Sequence, residues 1–246
     1  MRIGILGAGK IGGTIARRLS ADGHAVTLAN SRGPETLRDL AAEIGATAAH
    51  AGAAAEDAEV VITSVPFPQL PSLREVISRA PHDVVVVDTS NYFSFKDGLI
   101  EAVEEGQIES KWVQEQLGRP VVKAWNNILA GSFGTKATPP GTPGRIALAV
   151  AGDDAQAKAT AMGLVDATGF DSVDAGPIAD SWRQQPGTPA YCTDLTAAEL
   201  RAALAAADRS TMAERRDRMV AELRQYEAFP ANEQLVWLNR KHYLER

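Results

Sequence analysis

Short, continuous apolar runs separated by polar, helix-forming stretches set the rhythm of the chain. Met1 to Leu6, Ala25 to Ala29, Val60 to Val65, Val84 to Asp88, Pro120 to Asn127 and Ile146 to Gly152 lack an alternating polar face. Such runs predict strands buried on both faces of a parallel sheet. Weaker strands are expected at Ala46 to His50 and Asp171 to Asp174. Helices are predicted between them. One covers Thr14 to Leu19, another Pro34 to Ile44 with Pro in its first turn and Gly45 past its end, and others run from about Leu70 to Arg79, within Lys96 to Leu117, and from Asp153-Asp154 to Thr168. Strand and helix alternate, so the predicted class is α/β, a Rossmann-type, doubly wound, mostly parallel sheet. After Gly176 the rhythm changes: a polar, proline-rich stretch to Asp194, a capping box at Thr196-Ala197-Ala198-Glu199, and a helix from Ser210 to Ala228. The expected division is a sheet domain over 1–178 and a small helical region over 179–246.

The first strand runs into Gly7-Ala8-Gly9-Lys10-Ile11-Gly12 and then a helix. Strand, glycine pattern and helix in that order make a dinucleotide phosphate site. Gly7 permits the tight turn, Gly9 leaves room for a diphosphate against the backbone, and Gly12 lets the helix lie close on the sheet. The diphosphate is expected at the helix N-terminus, on free N–H groups and the positive end of the dipole. At the end of the second strand an acid would grip the ribose diol of NAD, whereas this chain has Asn30-Ser31-Arg32. A guanidinium fork, a hydroxyl and an amide suit a 2′-phosphate, so the expected cofactor is NADP(H).

Other candidates lie at the carboxyl ends of strands, where open α/β sheets bind ligands. Val65, Pro66 and Phe67 end one run and are expected at the cofactor cleft. Ser90 and Asn91 follow Val84 to Asp88 and are expected to roof the nicotinamide pocket. Lys123, Asn126 and Asn127 are expected beside the reactive ring, with Asn126, Lys123 and Tyr92 as catalytic candidates. Ile128 to Arg145, rich in Pro and Gly, is expected to be a mobile loop and candidate lid.

Composition narrows the partners. A net charge of −6 and a pI near 5.3 argue against nucleic-acid binding, and the basic stretch Arg209 to Arg224 is interrupted by acids. No apolar run reaches the length of a membrane span, and the chain opens directly on a strand, so neither a membrane segment nor a signal peptide is expected. The single Cys192 excludes an internal disulfide and fits a reducing cytoplasm; the four histidines are scattered, and no metal is expected.

Together the residues resemble the NADPH:F420 oxidoreductases, the coenzyme F420-dependent NADP reductase family, which is related to the NADPH-binding domains of membrane ferric and cupric reductases. The resemblance rests on Gly7-Ala8-Gly9-Lys10-Ile11-Gly12, Asn30-Ser31-Arg32, Val122-Lys123-Ala124-Trp125-Asn126-Asn127-Ile128, and Ala151-Gly152-Asp153-Asp154 with Val173-Asp174-Ala175-Gly176-Pro177. It implies that Ser31 and Arg32 hold the 2′-phosphate and that the strand ending in Trp125 and Asn126 lies by the nicotinamide. The chain departs from members that reduce F420 at Asn126, where they carry histidine, and in its longer part beyond Ser181, which marks a divergent bacterial subgroup. The expected function is NADPH-dependent hydride transfer to a small organic acceptor, F420 or another (deaza)flavin. Alternatives are a ketone or imine reductase, which needs a proton donor such as Tyr92, Lys123 or Tyr191, and a non-catalytic NADP(H)-binding redox sensor. Apolar positions in the tail, among them Met212, Met219, Val220, Leu223, Trp237, Leu238 and Tyr243, are expected to form a homodimer contact or to pack on their own sheet.

Overall fold

The structure is a computed structural model that describes residues 1–244; the last two positions of the 179–246 region lie outside it. The N-terminal part runs β1 (Arg2–Leu6), α1 (Lys10–Ala21), β2 (Ala25–Ala29), α2 (Arg38–Ile44), β3 (Thr47–Ala48), α3 (Ala51–Glu56), β4 (Val60–Thr63), α4 (Arg74–Ser78) and β5 (Val85–Asp88). It continues through α5 (Ser94–Asp97), α6 (Glu101–Glu104), α7 (Glu109–Leu117), β6 (Val122–Lys123), α8 (Ala130–Thr135), β7 (Ala147–Val150), α9 (Ala155–Ala167) and β8 (Asp171–Asp174). Helices α10 (Ala197–Ala205), α11 (Arg209–Leu223) and α12 (Asn232–Tyr243) complete it, and no helix is long and apolar enough to cross a membrane among the described residues.

Six strands form a parallel sheet in the order β3-β2-β1-β4-β5-β6. The chain reverses its winding at β1, which pairs with β2 on one side and β4 on the other. That reversal opens a crevice at the carboxyl edge of the sheet. Ile3, Ile5, Leu28, Val60, Ile62 and Val87 are essentially without solvent exposure, as strands covered on both faces require. Strands β7 and β8 pair with each other in a separate two-stranded sheet, joined to the main one by an antiparallel bridge between Lys123 and Ala151.

The expected long strand over Pro120 to Asn127 is cut short because Trp125 turns into the left-handed region, at φ 55°. The indole N–H holds it there, donating to Thr168 Oγ1 at 3.1 Å. Ile128 to Arg145 is no free lid. It contains α8, whose Phe133 is fully buried against Phe170, while Arg18 donates to the Phe133 carbonyl at 2.8 Å. This anchorage lies at the far end of α1 from Gly9, about 13 Å along the helix.

The capping box holds, with the Thr196 N–H donating to Glu199 at 2.9 Å. Helix α10 packs on β7 and β8, and Met219, Val220 and Tyr243 are buried with Tyr191 and Cys192 within their own chain. Phe229 and Trp237 remain exposed.

The aromatic residues behind β4 and β5 form a second core. Phe67 is 1% exposed and stacks on Trp112 with ring centroids 4.6 Å apart, while Tyr92 lies 5.4 Å from it. Phe67→Ala is expected to lower the unfolding free energy by about 3–5 kcal/mol, against about 0.5 kcal/mol or less for Leu99→Ala at an exposed position. Urea denaturation of both variants checks this, and equal losses would contradict the packing.

Candidate active site

The carboxyl edge at β1, β2 and β4 holds a cleft of about 660 Å³, lined by the Gly7–Gly9 turn, Asn30–Arg32, Ser64–Pro66 and one face of the segment after β4. Its size suits a small-molecule ligand.

Its floor is the junction between β1 and α1. Gly7 has φ 115°, and a Cβ there would stand 2.1 Å from the Ser64 carbonyl oxygen. At Gly12 a Cβ would stand 2.0 Å from the Gly7 carbonyl oxygen. Both glycines therefore serve close backbone packing. Gly9 is different: as N-cap of α1 it lines the cleft, and a Cβ would meet nothing within 4 Å. The space before it is open to the cleft. No side chain caps α1, so its first-turn N–H groups stand free where the dipole is positive. Lys10 is exposed at the first helical position, while Ile11 packs against the core beside Ala8, behind the turn.

At the end of β2 the Asn30 side chain is occupied within the loop. Its Oδ1 accepts the Arg32 N–H at 2.9 Å and its Nδ2 donates to Thr36 Oγ1 at 2.9 Å. Asn30 thus shapes the loop, and Ser31 and Arg32 are left exposed on the cleft. Among the described residues the Arg32 guanidinium has no ion-pair partner; Glu35 turns its carboxylate onto Gly33. Val65 and Pro66 also line the cleft. Phe67 does not, because a large aromatic side chain gains more from the Trp112 and Tyr92 rings than from a wet edge. Gln69, Ser72, Leu73 and Val76 line it in its place. Their spacing of three, four and seven residues, directly after a strand end, is the signal that marks them.

The sheet edge at β5 and β6 is polar but closed. Lys123 and Asp88 have no exposed side-chain surface and pair at 2.6 Å. Lys123 Nζ also donates to the Ser90 carbonyl at 2.5 Å, and Ser90 Oγ donates to Asp88 at 2.9 Å. Register explains the pairing: Asp88 lies opposite Lys123 in the β5–β6 ladder. Lys123 is therefore a buried structural cation, since an unpaired charge here would be costly. Tyr92 is also turned inward, its hydroxyl donating to the Gly98 carbonyl at 3.0 Å and accepting the Ile100 N–H at 3.1 Å. Burial raises its pKa.

Asn126 is 1% exposed. Its Nδ2 donates to Asn91 Oδ1 at 3.0 Å and to the Gln184 carbonyl at 2.9 Å, and its Oδ1 accepts from Gln184 Nε2 at 2.7 Å. Asn91 Nδ2 donates in turn to the Asn126 carbonyl at 2.8 Å. Asn91, half-buried, is the candidate here that keeps exposed surface. The Ser181 to Tyr191 stretch, polar in sequence, is largely buried and sits on this edge: Asn127 Nδ2 donates to the Ala190 carbonyl at 3.2 Å. Glu109 is the acid that sequence reasoning missed. It is 4% exposed, its carboxylate accepts the Tyr92 N–H at 3.3 Å, and burial pushes its pKa up to about 7 against the opposing pull of Lys123.

Comparison with known proteins places this architecture. Residues 2–92 match the family model described as NADP oxidoreductase, coenzyme F420-dependent. YjhV of Escherichia coli (strain K12) is 42% identical over 102 residues, which cover 42% of this chain and 74% of that protein. The hypothetical protein SMa0349 of Sinorhizobium meliloti superposes with a TM-score of 0.68 at 30% identity, over 80% of this chain and 95% of that one. An assigned F420-dependent NADP-reductase of Arthrobacter sp. FB24 gives a TM-score of 0.58 at 25% identity, over 74% and 87% of the two chains. With its reversal at β1, its glycine turn under an open cleft and these relatives, the chain belongs to the coenzyme F420-dependent NADP oxidoreductase family.

Proposed function

We propose that the protein is an NADPH-dependent oxidoreductase that passes a hydride between NADP(H) and a small organic acceptor, with F420 or another (deaza)flavin as the acceptor class. The observation that carries this reading is the cleft itself: free helix N–H groups and an unobstructed Gly9 at one point, an unpaired Arg32 at another. These fit a dinucleotide with a 2′-phosphate. NADPH supplies the hydride when bound. Gly9 and the first turn of α1 would receive the diphosphate, and Ser31 and Arg32 the 2′-phosphate. Val65 and Pro66 would pass the chain of the cofactor toward the β5 edge, where Asn91 and Asn126 hold the turn against which the nicotinamide would lie.

The acceptor class follows from what the edge lacks. Tyr92 and Lys123 are buried and bonded within the chain, burial raises the Tyr191 hydroxyl well above its usual range, and Glu109 lies buried behind the Ser90–Asn91 turn with its carboxylate turned to the Tyr92 N–H, so none of these groups presents a proton at the open surface of the edge. A ketone or imine needs such a donor, whereas a deazaflavin ring delocalises the charge it receives. A second reading, an NADP(H)-binding redox sensor without turnover, draws support from the closed Asn126–Gln184–Asn91 network. Exposed Phe229 and Trp237 support a homodimer through the tail, and the single cysteine supports a cytoplasmic setting.

Purified protein with NADPH, assayed by absorbance against F420, flavins, quinones, ketones and imines, tests the activity. Turnover with F420 or a flavin is the expected result. Turnover with an imine or ketone alone would contradict the acceptor class, and tight NADPH binding without any turnover would favour the sensor.

NADP(H) is expected to bind more tightly than NAD(H), and Arg32→Ala to lose roughly ten- to hundredfold in NADPH affinity, about 1.5–3 kcal/mol, with NADH affinity unchanged. Glu35, left as the charge of that loop, adds to the loss. Fluorescence titration with both cofactors at low salt measures it, and equal wild-type affinities for the two would refute the assignment of Arg32.

A further inference from the structure

Behind the Ser90–Asn91 turn lies a group of ionisable side chains that neither the cleft nor the hydride transfer uses. Asp88 and Lys123 form a pair whose charges cancel, both wholly buried. Glu109, the first residue of α7, is buried beside them and bound to the Tyr92 N–H, one residue past Asn91. Gln185 is buried close by and favours its ionised form. The group therefore holds two carboxyls against one ammonium. Its net charge is −1 when Glu109 is ionised and zero when it is protonated.

We infer that Glu109 is a specificity-determining residue for the redox state of the dinucleotide, its charge favouring the oxidised, cationic nicotinamide over the reduced, neutral one across the Ser90–Asn91 turn. The inference rests on the function proposed above. It requires only that the nicotinamide lie on the β4–β5 side of the reversal at β1, with the adenosine on the β2 side. Water screens the carboxyl only in part where it lies, and the neighbouring ammonium is already engaged by Asp88 and the Ser90 carbonyl.

The surroundings leave Glu109 as the group that changes charge. Tyr191, which faces it from the loop before α10, is held neutral by burial. Asp180 and Arg183 in the 3-10 turn packed on α7 pair with each other at 3.8 Å near the surface. Glu104 of α6 faces Arg216, and Arg74 of α4 reaches the Glu115 carbonyl at the other end of α7. Burial raises Glu109 to about 7, so it is protonated at pH 6 and ionised at pH 8. The sign follows: preference for the oxidised cofactor rises with pH. By linkage, binding of the oxidised form releases a proton from Glu109 near pH 7, and binding of the reduced form does not.

The test is the ratio of affinities for NADP⁺ and NADPH, measured by calorimetry at pH 6 and pH 8 on the full-length protein. The 2′-phosphate also titrates near pH 6, but it does so in both cofactors and cancels in the ratio. In the wild type the ratio is expected to move toward NADP⁺ by roughly three- to tenfold, the size of one partly screened charge. In Glu109→Gln, which keeps an acceptor for the Tyr92 N–H, it is expected to stay constant. A constant ratio in the wild type, or the same rise in Glu109→Gln, would overturn the inference; the wild-type ratio decides alone if the variant does not fold. Tight binding with a constant ratio leaves the proposed function standing, whereas no binding of either cofactor by the wild type contradicts that function and this inference together.

Discussion

Everything at the ligand edge depends on how closely three stretches of backbone approach one another where β1 becomes α1. Gly7 sits against the Ser64 carbonyl and Gly12 against the Gly7 carbonyl, at distances where no Cβ fits. This lets α1 start directly over the reversal point of the sheet, with its uncapped N-terminus at the cleft. A bulkier residue at either position would push the helix off the sheet and carry the free N–H groups away from the place where β2 and β4 end. The same contact sets the core, because Ile15, Ala16 and Leu19 of α1 are seated on Ile3 and Ile5 by that close start.

The two halves of the sheet edge obey opposite rules. Over β1 and β2 the first turn of α1 is uncapped and, among the described residues, the Ser31 and Arg32 side chains face the cleft unpaired, as a site for a charged ligand requires. Over β5 and β6 the polar side chains at the strand ends are bonded within the chain: Lys123 with Asp88, Asn126 with Gln184 and Asn91. Low local dielectric strengthens these bonds and makes their loss costly, so the network fixes the Ser90–Asn91 turn and the Gln184 segment as one unit. The C-terminal region belongs to that unit. Asn239 and Arg240 of α12 donate to the carbonyls of Cys192 and Thr193, and Asn232 donates to Ser132. A segment that closes the β5–β6 edge is therefore tied to helices at the end of the chain, and the rigidity of that edge extends through the tail.

The fold and the glycine turn beneath the cleft were legible because their signals are local. A glycine pattern between a strand and a helix, or a missing acid after the second strand, is contained within a few residues. What could not be read depends on distant partners. Phe67 after a strand end reads equally as a cleft wall or as core, and only Trp112, far along the chain, draws it inward. Lys123 reads as a free amine until sheet register sets Asp88 opposite it. Glu109 opens a helix whose apolar positions, Trp112, Val113 and Leu117, give no sign that the acid before them is buried too; its burial comes from the 3-10 turn and the loop to Tyr191, which look solvent-exposed by composition. Proline and glycine in Ile128 to Arg145 suggested mobility, yet Phe133 buries one turn of it and Arg18 holds the carbonyls.

The central claim is that a dinucleotide diphosphate occupies the open space before Gly9. The most direct measurement is the NADPH affinity of Gly9→Val, with circular dichroism to follow the fold. Because a side chain there meets no protein atom within 4 Å, the spectrum should be that of the wild type while binding is abolished. Wild-type affinity in the folded variant would contradict the account.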